Sequence, residues 1–328
     1  MITIVGAGSI GLSLGGRLAR GGTDVAFLTR RPEAAEALAR HGVTVTDPAD
    51  GSSFTARVRA HQRAEDLPDS HRRGIVVLCT RTTELEPLAR ALPHALPDAL
   101  FVCAQNDVDN EARMAAHARH VAGLVFRQTC TRQDDTAVFA LGAGRLVVGD
   151  HPTGCGPGLE PLARAAEHAG YAVGRSPEIS RDKWLKLCVN LMSTPNALVR
   201  REDHTTEAFV EVKARLLEEA SAVLGAAGIE AAPCDAGDRT LAEEIAHQRA
   251  SLAAGTSARP LPIYNAVWRA LKHPELGLEA DRFHRRISAL GERHGVSTPT
   301  NRRALEALLR ARDEGRGPES LDALDLIA

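Results

Sequence analysis

Lysine is nearly missing from this chain. Of its 40 basic residues only four are lysines, Lys183, Lys186, Lys213 and Lys272, and every other positive charge is an arginine. Arginine stays protonated at any useful pH, whereas lysine can have its pKa lowered and can exchange a proton. Two of the four lysines within "DKWLKLCVN" therefore stand out, although helix propensity alone would also account for them. Also missing is any apolar run near the roughly 20 residues needed to cross a bilayer, and the N-terminus has no signal-peptide pattern. The six cysteines (Cys79, Cys103, Cys130, Cys155, Cys188, Cys234) contain no C-x-x-C pair, so neither a zinc site nor a disulfide framework is indicated. The 13 histidines are dispersed without an H-x3-H, and no metal is expected. A formal net charge of -2 produces no field that would gather nucleic acid or an anionic membrane surface. These absences predict a reduced, cytoplasmic protein without a nucleic-acid or membrane partner.

What is present is ordinary in amount and informative in order. Hydrophobic residues make up 44% and charged residues 25% of the 328, as in a soluble globular chain. The length predicts two domains of roughly 150 residues each. Met1 to Val5 has strand character and leads into "GAGSIGLSLGGRLARGG", where Ile10, Leu14 and Leu18 keep helical spacing until Gly21 and Gly22. "DVAFLTR" (24–30) predicts a second strand, and "RPEAAEALARHG" (31–42) a helix with Pro32 near its start and Gly42 past its end. "GIVVLCT" (74–80) and "ALFVCAQN" (99–106) are continuous apolar runs, as strands covered on both faces require. The helical "TELEPLARALPHAL" separates them, and "HVAGLVFRQTC" and "GRLVVGD" (144–150) follow. This alternation predicts an α/β domain over residues 1–175, a doubly wound parallel sheet of Rossmann type. Over residues 176–328 the segments from "SRDKWLKLCVNLMS" to "NRRALEALLRARDEG" read as helices, so the second domain is expected to be all-helical.

Gly6, Gly8 and Gly11 form a G-x-G-x-x-G on the first strand-to-helix turn. The first glycine permits the turn, the second lets a pyrophosphate approach backbone, and the third lets helix and strand pack closely. The helix start, with Ser9 and Ile10, offers N–H groups and a positive dipole end to phosphates. A dinucleotide is the expected cofactor. An NAD site would place Asp or Glu at the end of the second strand, for the ribose 2′-hydroxyl. Here that strand ends in Thr29, Arg30 and Arg31, with no acid before Glu33. A guanidinium matches phosphate oxygens, so NADP(H) is expected.

With these landmarks the chain resembles the 2-dehydropantoate (ketopantoate) reductases over nearly its full length. The matching segments are "ITIVGAGSIG", "LTRR", "VVLCTRTTE", "FVCAQNDVDNE", "GRLVVGD", "DKWLKLCVN" and "HGVSTPTNRRALEALL". The resemblance implies an NADPH-binding Rossmann domain joined to a helical domain, a cleft between them, and reduction of a 2-keto acid. It implies that Arg30 reads the 2′-phosphate and that Arg81 lies near the cofactor. Asn106 would sit beside nicotinamide and substrate, Lys186 would be the catalytic lysine, and Asn190 would hold the substrate. Lys186, Asn190 and Thr194, at i, i+4 and i+8, are expected on one helix face. An ammonium there can polarise a carbonyl oxygen and supply the proton that an alkoxide needs. Lys183 falls on the adjacent flank and is the lesser candidate.

The chain departs from the family pattern where substrate is held. A second helical asparagine is replaced by Thr194, and a late serine aligns near Ala250 with Ser251 beside it. A late acidic residue, in T-E-I-D, aligns with Pro262, and the Q-N-G turn reads "QND". A pocket built to hydrogen-bond one substrate discriminates strongly against others, so these changes predict a small carbonyl substrate other than ketopantoate. Ketopantoate itself and a non-catalytic NADPH sensor stay open as alternatives, as does a homodimer. Trp184 and Trp268 read as core anchors rather than stacking platforms.

Overall fold

The computed structural model describes residues 1–250 and 264–327. These residues fall into two compact units, the first Met1–Asp182 and the second beginning at Lys183.

The first unit starts with β1 (Ile2–Val5), α1 (Ser9–Arg20), β2 (Val25–Leu28) and α2 (Pro32–His41). Three short strands follow, β3 (Val43–Thr46), β4 (Ser53–Ala56) and β5 (Arg59–His61), and then α3 (Asp69–Arg72). The chain continues through β6 (Ile75–Leu78), α4 (Leu85–Ala95), β7 (Leu100–Cys103), α5 (Asn110–Ala115) and β8 (Val121–Arg127). It closes with β9 (Cys130–Arg132), β10 (Ala137–Ala140), β11 (Arg145–Asp150), α6 (Glu160–His168) and β12 (Ala172–Arg175). Eight strands form one sheet in the order β12-β11-β8-β7-β6-β1-β2-β5. Its pairings are parallel except for β11 against β8. The apolar runs are buried on both faces because successive side chains alternate across the pleat. Ile2, Ile4, Phe27 and Val77 pack in one core with Leu14 and Leu18 of α1. Val5, Leu28, Val76 and Leu78 pack in the other with Leu85 and Leu92 of α4.

A second, four-stranded sheet, β4-β3-β10-β9, lies outside the expected single sheet. Its strands are short and half-exposed, as in "VTVT" of β3 and "AVFA" of β10, so no continuous apolar run announces them. β3 pairs β10 in parallel across more than ninety intervening residues (Val45 opposite Val138), a contact that local pattern does not encode.

The second unit is helical. α7 (Ile179–Leu191) runs into it from the first unit, followed by α8 (Pro195–Leu198) and a 3₁₀ turn, Arg201–Thr205. Then come α9 (Glu207–Ala227), α10 (Leu241–Ala250), α11 (Ala266–Lys272), α12 (Ala280–His294) and α13 (Pro299–Asp313). The central α9 has Thr206 as N-cap, its hydroxyl accepting from Phe209 N, and Gly228 in the left-handed conformation after its end, the expected start and stop chemistry. Val212, Leu216, Leu217 and Val223 of α9 are fully buried. Among the described residues no helix is long and apolar enough to cross a membrane.

Candidate active site

The order of strands places the reversal of winding between β1 and β6, and open α/β sheets bind ligands outside the carboxyl ends at such a point. Gly6, at that edge, has φ +100, which L side chains rarely adopt. A Cβ on Gly11 would overlap the Gly6 carbonyl oxygen, so helix and strand approach as closely as they do only because this residue is glycine. Gly8 is different. A Cβ there would meet nothing nearer than Cys79 O, at 3.9 Å, which leaves space above the loop. The first helical bond of α1 runs from Leu12 N to Gly8 O, so the amides of Ser9, Ile10 and Gly11 have no carbonyl one turn back within the helix. The Ser9 hydroxyl accepts from Arg132 N at 3.0 Å and retains its proton for donation. Beside Gly6, the Thr80 hydroxyl is buried without a hydrogen-bond partner among the described residues. Open space over Gly8, unpaired helix-start amides and an unsatisfied hydroxyl fit a dinucleotide pyrophosphate.

Three of the residues assigned from the sequence follow the carboxyl ends of neighbouring strands. Arg30 follows β2, Arg81 follows β6 and Asn106 follows β7. The Arg30 side chain is 83% exposed and pairs with Glu84 at 3.1 Å. Such an exposed pair is worth about 0–1 kcal/mol and can be exchanged for a phosphate. Arg31 is committed elsewhere, to Asp135 and to Glu33 at 3.5 Å. Asn106 is half-buried in the turn after β7, beside Gln105 and Asp107, which are both buried.

α7 is mostly core. Leu185, Leu187, Cys188 and Leu191 are all at most 3% exposed, while Lys186 and Asn190, one turn apart, are half-buried. Lys183 is only 4% exposed and belongs to the packed side. Below it, Asp182 is buried and accepts from Ser176 Oγ at 2.6 Å. The expectation that Thr194 extends the row of Lys186 and Asn190 on one helix is corrected. α7 ends at Leu191, because the ring of Pro195 would meet the Leu191 carbonyl, four residues back, if the helix ran on. Thr194 instead stands just before α8, makes no capping bond to it and is fully buried, whereas Ser193 stays half-buried.

The partner of Thr194 was invisible in the sequence. Its Oγ lies 2.8 Å from His284 Nε2, and His284 Nδ1 lies 2.9 Å from Asn301 Oδ1. Asn301 Nδ2 donates to Glu219 Oε2 and to Leu216 O. Glu219 in turn accepts from the backbone amides of Thr300 and Asn301 at the start of α13. Ala250 is exposed at the end of α10; Ser251, expected to touch substrate, and Pro262 lie outside the described residues.

The sequence profile of ketopantoate reductase PanE/ApbA matches residues 2–153. The match lies within the first unit, Met1–Asp182. A 2-dehydropantoate 2-reductase of Halobacterium salinarum is 25% identical over 308 residues, covering 90% of this chain and 99% of that protein. Among solved structures, the 2-dehydropantoate 2-reductase of Methylococcus capsulatus superposes with a TM-score of 0.74 at 20% identity, covering 96% of this chain and 97% of that one. A D-mandelate dehydrogenase, solved with NADH and anilino(oxo)acetate, superposes with a TM-score of 0.76 at 19% identity, covering 97% and 100%. Members of the family are oxidoreductases, and this fold serves proteins named for different compounds, 2-dehydropantoate and D-mandelate.

Proposed function

We propose that the protein is an NADPH-dependent reductase of a small carbonyl compound, a 2-keto acid by family, with a pocket that is not that of ketopantoate. The observation that carries it is the placement of Lys186 and Asn190, both half-buried and one turn apart on α7. A bound nicotinamide nucleotide would supply a hydride to the carbonyl carbon. The ammonium of Lys186 polarises the carbonyl oxygen, and as the C=O π pair moves onto that oxygen, its proton passes to it, leaving a hydroxyl and a neutral amine. Asn190 would hydrogen-bond the substrate alongside, and Asn106 would lie at the nicotinamide. The amides of Ser9, Ile10 and Gly11 would hold the pyrophosphate, with Arg30 for the 2′-phosphate and Arg81 near it.

The distinct pocket is supported by Thr194. Where the family holds substrate with an asparagine, this chain has a hydroxyl that is already engaged by His284. The second reading, ketopantoate reduction itself, draws on the relatives named 2-dehydropantoate 2-reductase.

The experiment is NADPH oxidation by the purified protein across keto acids, ketones and imines, ketopantoate included. The proposal expects turnover of a keto acid at a kcat/KM well above that of ketopantoate; ketopantoate as the best substrate would establish the second reading. NADPH binding without turnover of any compound would leave a sensor. With the substrate in hand, Lys186→Ala should lower kcat by about 10²–10⁴ with NADPH affinity unchanged. Lys186→Arg should be almost as damaging, because it restores charge without a transferable proton.

A further inference from the structure

The row Thr194–His284–Asn301 is fully buried; each of the three side chains is 0% exposed. It links the turn that ends α7 to α12 and α13, elements that approach from 90 residues further along the chain. The direction of its hydrogen bonds follows from the acceptors at one end. Asn301 Nδ2 donates to the Glu219 carboxylate and to the Leu216 carbonyl, so Asn301 Oδ1 faces His284 as an acceptor. His284 Nδ1 must then carry the proton, Nε2 is bare, and the Thr194 hydroxyl donates to it. Burial holds the imidazole neutral, with its pKa pushed down to about 4. Each bond satisfies a group that would otherwise be buried and unpaired. The same turn is held a second time, because Asn265 Nδ2 donates to Ser193 O at 2.9 Å.

We infer that His284 is a positioning residue, which anchors the C-terminal end of α7 through Thr194 and thereby sets where Asn190 and Lys186 stand. This rests on the reading of Lys186 and Asn190 as the reacting pair. Pro195 denies α7 a continuing backbone ladder at this point, so side-chain bonds must fix the end of the helix. The network does so through three fully buried side chains.

The scarcity of lysine supplies a test that needs no substrate. Acylation of the folded protein, read lysine by lysine by mass spectrometry, compares Lys186 with the exposed Lys272 as internal control. Thr194→Val removes the donor to His284 at nearly constant size, and Thr194→Ser retains it. The inference expects Lys186 labelling to change severalfold in Thr194→Val and to return to wild type in Thr194→Ser. Thr194→Val should also lose about tenfold or more in kcat with KM for NADPH unchanged, since small misplacements of reacting groups carry large rate penalties. Thr194→Ala serves in the same comparison if Thr194→Val does not fold. A lowered Tm with Lys186 labelling and kcat at wild-type values would make the network merely structural and overturn the inference. If the labelling responds but Lys186→Ala keeps full turnover, the anchoring stands and the catalytic reading of Lys186 is what fails.

Discussion

Arg30 and Arg31 are neighbours in sequence and opposites in circumstance. Arg31 is tied to Asp135 and Glu33, while Arg30 reaches into solvent with only a surface pair to Glu84. A 2′-phosphate carries more charge than the Glu84 carboxylate and matches the guanidinium fork, so it would take Arg30 over. Arg30→Ala should therefore weaken NADPH binding by about 1–3 kcal/mol and barely change NADH, as measured by titration of both cofactors. Equal losses for the two would remove Arg30 from the phosphate. Lys183 and Lys186 differ in burial: the first is only 4% exposed, and the second is half-buried, one turn from Asn190. Spacing identified the pair, and burial separated them.

At the scale of one element, the glycine turn carries two jobs that substitution can separate. Gly11 is demanded by packing, because a Cβ would run into the Gly6 carbonyl oxygen. Gly11→Ala should therefore destabilise the protein by roughly 1–3 kcal/mol, the usual range for overpacking, read as a shift in urea midpoint. Gly8 has ordinary backbone angles (φ -85) and open space where a Cβ would go. Gly8→Ala should keep its stability within about 0.5 kcal/mol yet lose about tenfold or more in nucleotide affinity, since the methyl occupies the approach of the pyrophosphate. A Gly8→Ala protein with unaltered NADPH affinity would exclude a phosphate over this turn. α7 shows the complementary case, an element whose end is set by the proline that follows it and whose terminal turn is then secured by side chains.

For the molecule as a whole, the buried histidine predicts how stability responds to acid. The folded pKa of His284, about 4, lies below its ordinary 6.5 because burial disfavours the charged ring. Above pH 6.5 the ring is neutral in both states and its contribution is constant. As pH falls from 6.5 to 4 the unfolded chain takes up a proton that the folded one refuses, so stability drops, by about 3 kcal/mol in total. Below pH 4 both states are protonated and the loss stops growing. His284→Gln has no such titration. The stability advantage of the wild type over this variant, from urea unfolding, should shrink between pH 7 and pH 5; an advantage that stays flat would mean that the ring is not held neutral.

How much of this was legible in the chain depends on the range over which each feature is encoded. The alternation of strands and helices, the glycine turn, the helical second half and the pairing of Lys186 with Asn190 rest on periods of two and 3.6 residues and on conformations that only glycine or proline accepts, all within one turn or strand. The sequence by itself determined these; Pro195 also encoded the end of α7, which the expected row to Thr194 overran. Tertiary structure decided the rest. The pairing of β3 with β10 and the reversed direction of β8 against β11 join segments with no local trace of each other. Thr194 left the expected row on α7 for a buried position in which His284, 90 residues away, supplies its acceptor at 2.8 Å. Which groups remain available for chemistry is settled by neighbours, and neighbours are assembled by burial of apolar surface across the whole unit, which no local stretch records.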